Sequence, residues 1–487
     1  MLASNAEGFD PMDRAIHRLG GLMPAGSEHL HAGWKPVRQY PLARDLLAVS
    51  QVWRSPEDTK LTIAAKGAPE AIAELCHFDA ARKVLMMENA GRLAAEGLRV
   101  LGVARSQAIA GELPENQRGF DFEFVGLIAL ADPLRATVAG AMRECSEAGI
   151  RVVMITGDYP GTARSIARQA GLASAAKEMT GAELEALSDG ELRARAGTVN
   201  VFARTVPEQK LRLVNALKAR GEIVAMTGDG VHDAPALEAA HIGVAMGARG
   251  TDVAREAADL VLLDDDFSSL VNAVRTGRRI FDNLKKATMY ILAIHVPIAG
   301  LSFLPVLFGW PLILGPVHIA FLELIVDPAC SIVFEAEPEE EAIMRRPPRR
   351  KDDRLINRAL VSRSLLEGAG MLLILLAIFG TAFSRGQGEE DARALTFTAL
   401  VGANLALIVA NRSSSVAGAL HSGRNPAMRW VAAAAVVMLA GVLYVPFLRN
   451  LFHFSTLHPD DLGLCASAIA LSFAWFEGLK WWFRRRA

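Results

Sequence analysis

The stretch MTGDGVHDAPALEAAHIGVAMG, residues 226–247, decides the fold. A β-branched run, IVAMTG (223–228), ends in a glycine turn that presents Asp229 and Asp233. An alanine-rich helical segment follows, and then a second short apolar run, IGVAM (242–246). This is the punctuation of a parallel α/β unit, and open α/β sheets bind their ligands at the C-terminal ends of the strands, where this turn lies. Paired carboxylates there suit Mg²⁺, which neutralises the charge of a phosphoryl group in transit. A T-G-D-G turn on its own can be purely structural. Here MITGD (154–158) ends another predicted strand, so Thr156, Gly157 and Asp158 offer a hydroxyl, backbone N–H groups and a carboxylate to the same crevice. In FARTVPEQK (202–210), Arg204 and Lys210 supply cations suited to phosphate oxygens.

Outward from this stretch, VGLIAL, RVVMIT, VNVFAR, IVAMTG, IGVAM and DLVLL alternate with helix-length segments from about Phe124 to 283. That rhythm predicts βαβ units around one doubly wound parallel sheet. Residues 1–123 are less regular, with strands expected at LLAVSQVW, KLTIAAKG and LRVLGVA and a helix near 80–96, which makes a small α+β lobe. Six apolar stretches follow, near 287–308, 312–334, 361–383, 394–411, 428–448 and 462–483, each long enough to cross a bilayer as a helix. The 487 residues are 51% hydrophobic, with mean hydropathy +0.24 and a formal net charge of −1, which is too apolar for an ordinary soluble chain. The charges crowd the first 290 residues, so net charge points to no partner, nucleic acid included. Four well-separated cysteines, Cys76, Cys145, Cys330 and Cys465, suggest neither a disulfide framework nor a thiolate metal site. The N-terminus does not read as a secretory signal. Arg345, Arg346, Arg349, Arg350 and Lys351 after the second stretch, and Arg484, Arg485 and Arg486 at the end, place both termini in the cytoplasm of a multi-pass, inner-membrane protein.

DPLR (132–135), both T-G-D motifs and DNLKKATMYIL (282–292) together resemble the phosphorylation domain of P-type cation-transporting ATPases, a haloacid-dehalogenase-like fold. KGAPE (66–70) and EGLRVLGVA (96–104) are similar to the nucleotide-binding domain of the same pumps, in particular the calcium-pump-like type II branch. The resemblance implies ATP and Mg²⁺ as cofactors. It implies Lys66 and Gly67 near the adenosine, Arg99 and Arg204 near the phosphates, and Tyr40 roughly where an aromatic stacks on adenine. Lys210, Thr156, Gly157, Asp158, His232 and Asp233 then form the catalytic set, and Asp229 and Asp233 hold the metal.

Two departures stand out. The D-K-T-G-T-type motif carrying the aspartate that such pumps phosphorylate is absent from these residues, as are the T-G-E-type actuator loop and the earlier membrane helices. Aspartyl-phosphate formation needs that carboxylate, so the expectation is a C-terminal portion that cannot autophosphorylate by itself, completed by an N-terminal half. His232 stands where the family has asparagine. A neutral histidine can donate an N–H at similar reach.

In HIAFLELIVDPACS (318–331), Glu323 and Asp327 lie four residues apart on one helical face at membrane depth, where ionisable groups usually line an ion path. His295 in the preceding span, with Pro297 and Pro328 freeing backbone carbonyls, completes an expected site for a transported cation, either a divalent metal or a proton. Asn404 is a weaker candidate, read as a packing hydrogen bond. The absence of C-P-C argues against the soft-metal pumps. The leading expectation is therefore the ATP-binding and ion-path portion of a cation pump. Its alternative is a catalytically inactive, membrane-anchored nucleotide-binding regulator or pump relic, and a phosphatase domain with an anchor ranks below both.

Overall fold

The computed structural model describes residues 1–4, 11–22, 31, 33–43, 45–56, 60–109, 113–172, 177–350, 353–412 and 425–486, and it divides into two compact units, residues 1–271 and 272–487. Lys351 lies outside the described residues.

The first unit opens with helix α1 (Pro11–Gly20) and a five-stranded antiparallel sheet in sequential order: β1 (Lys35–Tyr40), β2 (Ala48–Arg54), β3 (Lys60–Gly67), β4 (Leu98–Ile109) and β5 (Glu123–Ala131). Helices α2 (Pro69–Leu75) and α3 (Ala80–Ala95) lie between β3 and β4. The buried residues of β2 and β3, Val52, Ile63 and Ala65, pack with Ile72 and Leu75 of α2. Each of the Val, Ile and Leu side chains among these contributes about 1.5–3 kcal/mol on burial. Asp79 starts α3 by accepting the Arg82 amide.

The α/β part follows as α4 (Val138–Glu147), β6 (Met154–Ile155), α5 (Pro160–Gln169), β7 (Glu178–Thr180), α6 (Gly181–Glu185), α7 (Asp189–Ala196), β8 (Val201–Ala203), α8 (Pro207–Ala219), β9 (Ala225–Gly228), α9 (Ala234–Ala239), β10 (Ile242–Met246), α10 (Asp252–Glu256) and β11 (Leu260–Leu262). Two expectations are corrected here. VGLIAL does not open the parallel sheet, because as β5 it pairs antiparallel with β4 from Leu98↔Ala131 to Arg105↔Glu123. The parallel strands also form two three-stranded sheets, β6-β8-β7 and β11-β10-β9, rather than one hydrogen-bonded sheet. Helix α8 joins them, with Leu213 in one core and Val214 in the other, while Ile155 of β6 and Val224, just before β9, touch both cores. The edges β6 and β9 thus lean on shared apolar ground without pairing with each other.

The second unit is helical. Helix α11 (Phe267–Phe308) begins in the last residues of the first unit and runs unbroken into it. It is followed by α12 (Pro316–Pro328), a π-helical turn over Ala329–Phe334, α13 (Arg358–Ser384), α14 (Glu389–Arg412), α15 (Pro426–Tyr444), the short α16 (Pro446–Leu451) and α17 (Pro459–Arg486). Six helices among the described residues are long and apolar enough to cross a membrane. Tyr290, Phe334, Phe397, Leu400 and Phe476 lie in their common core.

Candidate functional site: a phosphate-type crevice and a separate helical carboxylate pair

Strand β9 ends at Gly228, and the chain turns through a single 3-10 turn, Val231–Asp233, into α9. Asp233 is buried and organises this turn. Its Oδ2 accepts the amides of Asp229 and Gly230, both at 3.3 Å, and its Oδ1 accepts Lys210 Nζ at 2.6 Å. Residue 228 must be glycine for this to hold, since a Cβ there would come within 2.5 Å of the Asp233 Cβ. Lys210 reaches Asp233 from the first turn of α8, which starts directly after the FART loop.

At the end of β6, Thr156 Oγ1 accepts the Asp158 amide at 3.0 Å. The Thr156 carbonyl accepts both the amide and the hydroxyl of Thr205, each at 3.1 Å, and the Asp158 carbonyl accepts the Arg204 amide at 3.1 Å. The T-G-D loop and the FART loop are therefore stitched side by side. Arg204 holds this position with φ 54°, in the left-handed region. Its guanidinium donates to Glu70 of KGAPE at 2.7 Å, and Arg99 Nε lies 3.4 Å from Asp158 Oδ1. Thr156, Gly157, Asp158, Arg99 and Arg204 thus form one group. Gly228, Asp229, His232, Asp233 and Lys210 form a second, and α8 carries the chain from one to the other. Asp229 and His232 are exposed at the mouth of the second group. Glu70, which has one buried oxygen without a partner among the described residues, was not singled out from sequence. Only its neighbours in KGAPE gave a signal.

Residues expected at the cofactor are engaged within the protein here. Tyr40 is 5% exposed, its hydroxyl donates to the Pro114 carbonyl at 2.6 Å, and its ring is covered by Phe120 at 5.5 Å and by the Arg38 guanidinium at 4.8 Å, which leaves no face for a base. Lys66 is not an exposed cation. Its ammonium is engaged by Asp13 of α1 and by Ser4 Oγ at 3.1 Å. Gly67 serves the sheet, because a Cβ there would meet the Leu47 carbonyl at 2.4 Å.

The metal expectation divides in the same way. Both oxygens of Asp233 are occupied by protein donors, whereas the Asp229 carboxylate is exposed. Among the described residues no group of three or more His, Cys, Asp or Glu side chains could hold a metal. Mg²⁺ keeps several waters and binds through one or two carboxylates, so of this pair the exposed Asp229 is the one with oxygens open to an ion.

In the second unit, Glu323 is half-buried and Asp327 exposed on α12, and His295 is exposed on α11 with Nδ1 2.8 Å from the Ile291 carbonyl one turn back. Among the described residues no group of three His, Cys, Asp or Glu side chains comes close enough to hold a metal here, and His295 is held against its own helix. Pro328 does loosen its helix, which opens at once into the π-helical turn. Asn404 accepts the Tyr290 hydroxyl at 2.7 Å, a packing contact in the core.

A haloacid-dehalogenase-like crevice joined to membrane-length helices defines a class of ion-pump-like proteins, and comparison with known sequences narrows it. Residues 15–241 match the haloacid dehalogenase-like hydrolase family, and residues 311–482 match the family described as cation transporting ATPase, C-terminus. The chain is 35% identical over 484 residues to the probable cation-transporting ATPase F of Mycobacterium bovis, covering 96% of this chain and 53% of that protein. It is 36% identical over 390 residues to calcium-transporting ATPase 1 of Bacillus cereus, covering 77% and 44% respectively. It is 35% identical over 393 residues to human calcium-transporting ATPase type 2C member 2, covering 79% and 40%. The chain belongs to the P-type cation-transporting ATPases. It spans about half the length of the curated relatives it matches.

Proposed function

We propose that this chain is the ATP- and Mg²⁺-handling and ion-path portion of an ATP-driven cation pump of the inner membrane, and that the carboxylate accepting the phosphoryl group arrives on another segment, such as an N-terminal half. One observation carries the reading. Lys210 and Asp233 form an ion pair beside the exposed Asp229, just past the C-terminal end of β9, while Thr156 and Asp158, just past the end of β6, meet Arg99 and Arg204. Asp229 would hold the Mg²⁺, whose charge offsets that of the phosphates when bound. Lys210 and the loop amides offer N–H donors to phosphoryl oxygens, a preorganised arrangement that favours charge developing in transfer. Arg99 and Arg204 orient the nucleotide phosphates. The T-G-D-G loop cannot itself be the acceptor, because Asp233 is locked and Asp229 is placed for metal. The unpaired edges β6 and β9 support a missing strand as the carrier of that acceptor. Glu323 and Asp327, with His295 on the neighbouring helix, remain the proposed path for the cation, a divalent metal or a proton.

The test is co-expression with a candidate N-terminal half bearing D-K-T-G-T and T-G-E motifs, followed by labelling with γ-³²P ATP and Mg²⁺. An acid-stable, hydroxylamine-sensitive phosphoprotein is expected, reduced at least 100-fold by Asp229→Asn, in the range for loss of one transition-state stabiliser. Undiminished labelling of the variant would remove the metal assignment. ATP binding without labelling by any partner would favour the inactive regulator instead.

A further inference from the structure

A cluster of ionisable side chains lies between α13, α14 and α17, on helices that carry none of the proposed ion-path residues. Lys480 of α17 is 1% exposed, and its ammonium donates to the Ala410 carbonyl at 2.7 Å and to Glu477 Oε1 at 2.6 Å. Glu367 of α13 is fully buried. It accepts Arg363 Nε at 2.9 Å, its second oxygen faces Asn411 Nδ2 at 3.5 Å, and it lies within electrostatic reach of Lys480. The two acids and two bases balance to zero net charge. Two buried atoms in the cluster, Glu477 Oε2 and Asn411 Oδ1, have no hydrogen-bond partner among the described residues. Asn411 is itself 5% exposed.

The chemistry of those two atoms is one-sided. Both are oxygen acceptors, so what these two atoms lack is a donor, not further acceptors. An ammonium has three N–H groups, and two of those on Lys480 have protein partners here. Lys480 therefore sits as a compact point charge against a backbone carbonyl and a carboxylate, with Glu367 within electrostatic reach, and carbonyl and carboxylate oxygens are ligand types that replace the hydration shell of a small cation. A divalent ion would over-neutralise the cluster, because Arg363 already compensates Glu367.

We propose that this is a monovalent-cation site between membrane-length helices that the chain fills with its own Lys480 ammonium. Shortening Lys480 leaves a buried carboxylate without its counter-charge, which is strongly unfavourable, so a small monovalent cation takes the vacated place.

The experiment uses the full chain in nanodiscs and follows the thermal unfolding midpoint as KCl replaces N-methyl-D-glucamine chloride at constant ionic strength and pH. The unsubstituted chain is expected to be indifferent to the exchange. Lys480→Met is expected to gain about 3–5 °C for each tenfold rise in K⁺ above its dissociation constant, through preferential binding to the folded state. The double variant Lys480→Met/Glu477→Gln, which restores charge balance, is expected to fold and to be indifferent again. The proposal is overturned if Lys480→Met responds to pH but not to K⁺, since a proton on Glu477 then does the neutralising. It is equally overturned if Lys480→Met fails to fold in high K⁺ while the double variant folds.

Discussion

Lys210 and Asp233 are 23 residues apart in sequence, and their side chains meet at 2.6 Å, with Asp233 8% and Lys210 20% exposed. Removing the ammonium strands a buried carboxylate that also holds the Asp229 and Gly230 amides. Lys210→Met is therefore expected to cost about 2 kcal/mol, the range of a hydrogen bond to a charged group. Lys210→Arg should recover part of it, and chemical denaturation followed by tryptophan fluorescence measures both; equal stability of Met and parent would show that the pair is not closed. The meeting with Lys210 on α8 is not local. The turn that carries Asp229 and Asp233 was legible because it is local: glycine at 228 and 230 and a helix start at 234 leave the two carboxylates little choice. Tyr40 was not, because its partner Pro114 lies 74 residues away and no periodicity signals a tyrosine hydroxyl satisfied by a distant carbonyl. The Lys66 partner was hidden for the same reason, since Asp13 lies 53 residues upstream on a helix that sequence reasoning did not anticipate.

Among elements, strand existence was plain from β-branched runs, but partnership was not. The run that became β5 is apolar enough for a buried parallel strand, and only its eight-residue register against β4 assigns it to the antiparallel sheet. Helix starts are more local. Ser188 and Glu191 close a capping box at α7, as Thr180 and Glu183 do at α6. In both boxes hydrogen bonds from the cap residue, to Glu191 from Ser188 and to Glu183 from Thr180, hold the glutamate below its usual carboxylate range. Because the folded value is depressed, the stabilisation is present above the unfolded value near 4.3 and is lost as pH falls through the folded one. Amide exchange of residues 180–192 should accelerate below about pH 4 beyond its intrinsic rate, and Glu191→Gln should remove the α7 part of that pH dependence. Exchange that follows the intrinsic rate alone would refute it. A larger element-scale effect belongs to Glu337. Its carboxylate accepts Arg412 Nε and Asn425 Nδ2, both at 2.8 Å, and its carbonyl accepts Asn283 Nδ2 at 2.8 Å, so the end of α14, the start of α15 and α11 are fastened to one residue. Glu337 and Arg412 are 4% and 6% exposed. Glu337→Ala removes the buried carboxylate to which Arg412 Nε and Asn425 Nδ2 donate and is expected to cost about 3–5 kcal/mol, read as a lowered unfolding midpoint in detergent. The charge-free pair Glu337→Gln/Arg412→Met should lose much less, and equal losses would mean the ion pair is not what the site requires.

At the scale of the whole molecule, the distribution of arginine and tryptophan sets a sidedness that can be measured. The segment after α12 carries Arg345, Arg346, Arg349 and Arg350, and it is fastened to the near end of α11: Arg346 to Asp282 at 2.5 Å, Arg349 over the Phe281 ring at 3.5 Å, and Arg278 to the carbonyls of Ile343 and Arg346. Arg485 stacks on Trp481 at 3.9 Å near the far end of α17, the arrangement of an interfacial belt with cationic tips. On the proposed inner-membrane reading, six crossings would return the chain to the side on which α11 begins, which puts these arginines in the cytoplasm. On the same reading the loop around Gln387 and the segment around His458 face outward, and Gln387 Nε2 donates to Asp461 Oδ1 at 2.9 Å. With the native cysteines replaced, single cysteines at Gly386 and at Thr456 should react with a membrane-impermeant maleimide in intact cells. A cysteine at Arg350 should react only after permeabilisation. Labelling of Arg350→Cys from outside would invert the orientation and put the nucleotide crevice away from cytosolic ATP, and no arrangement of Asp229 and Lys210 could then serve the proposed chemistry.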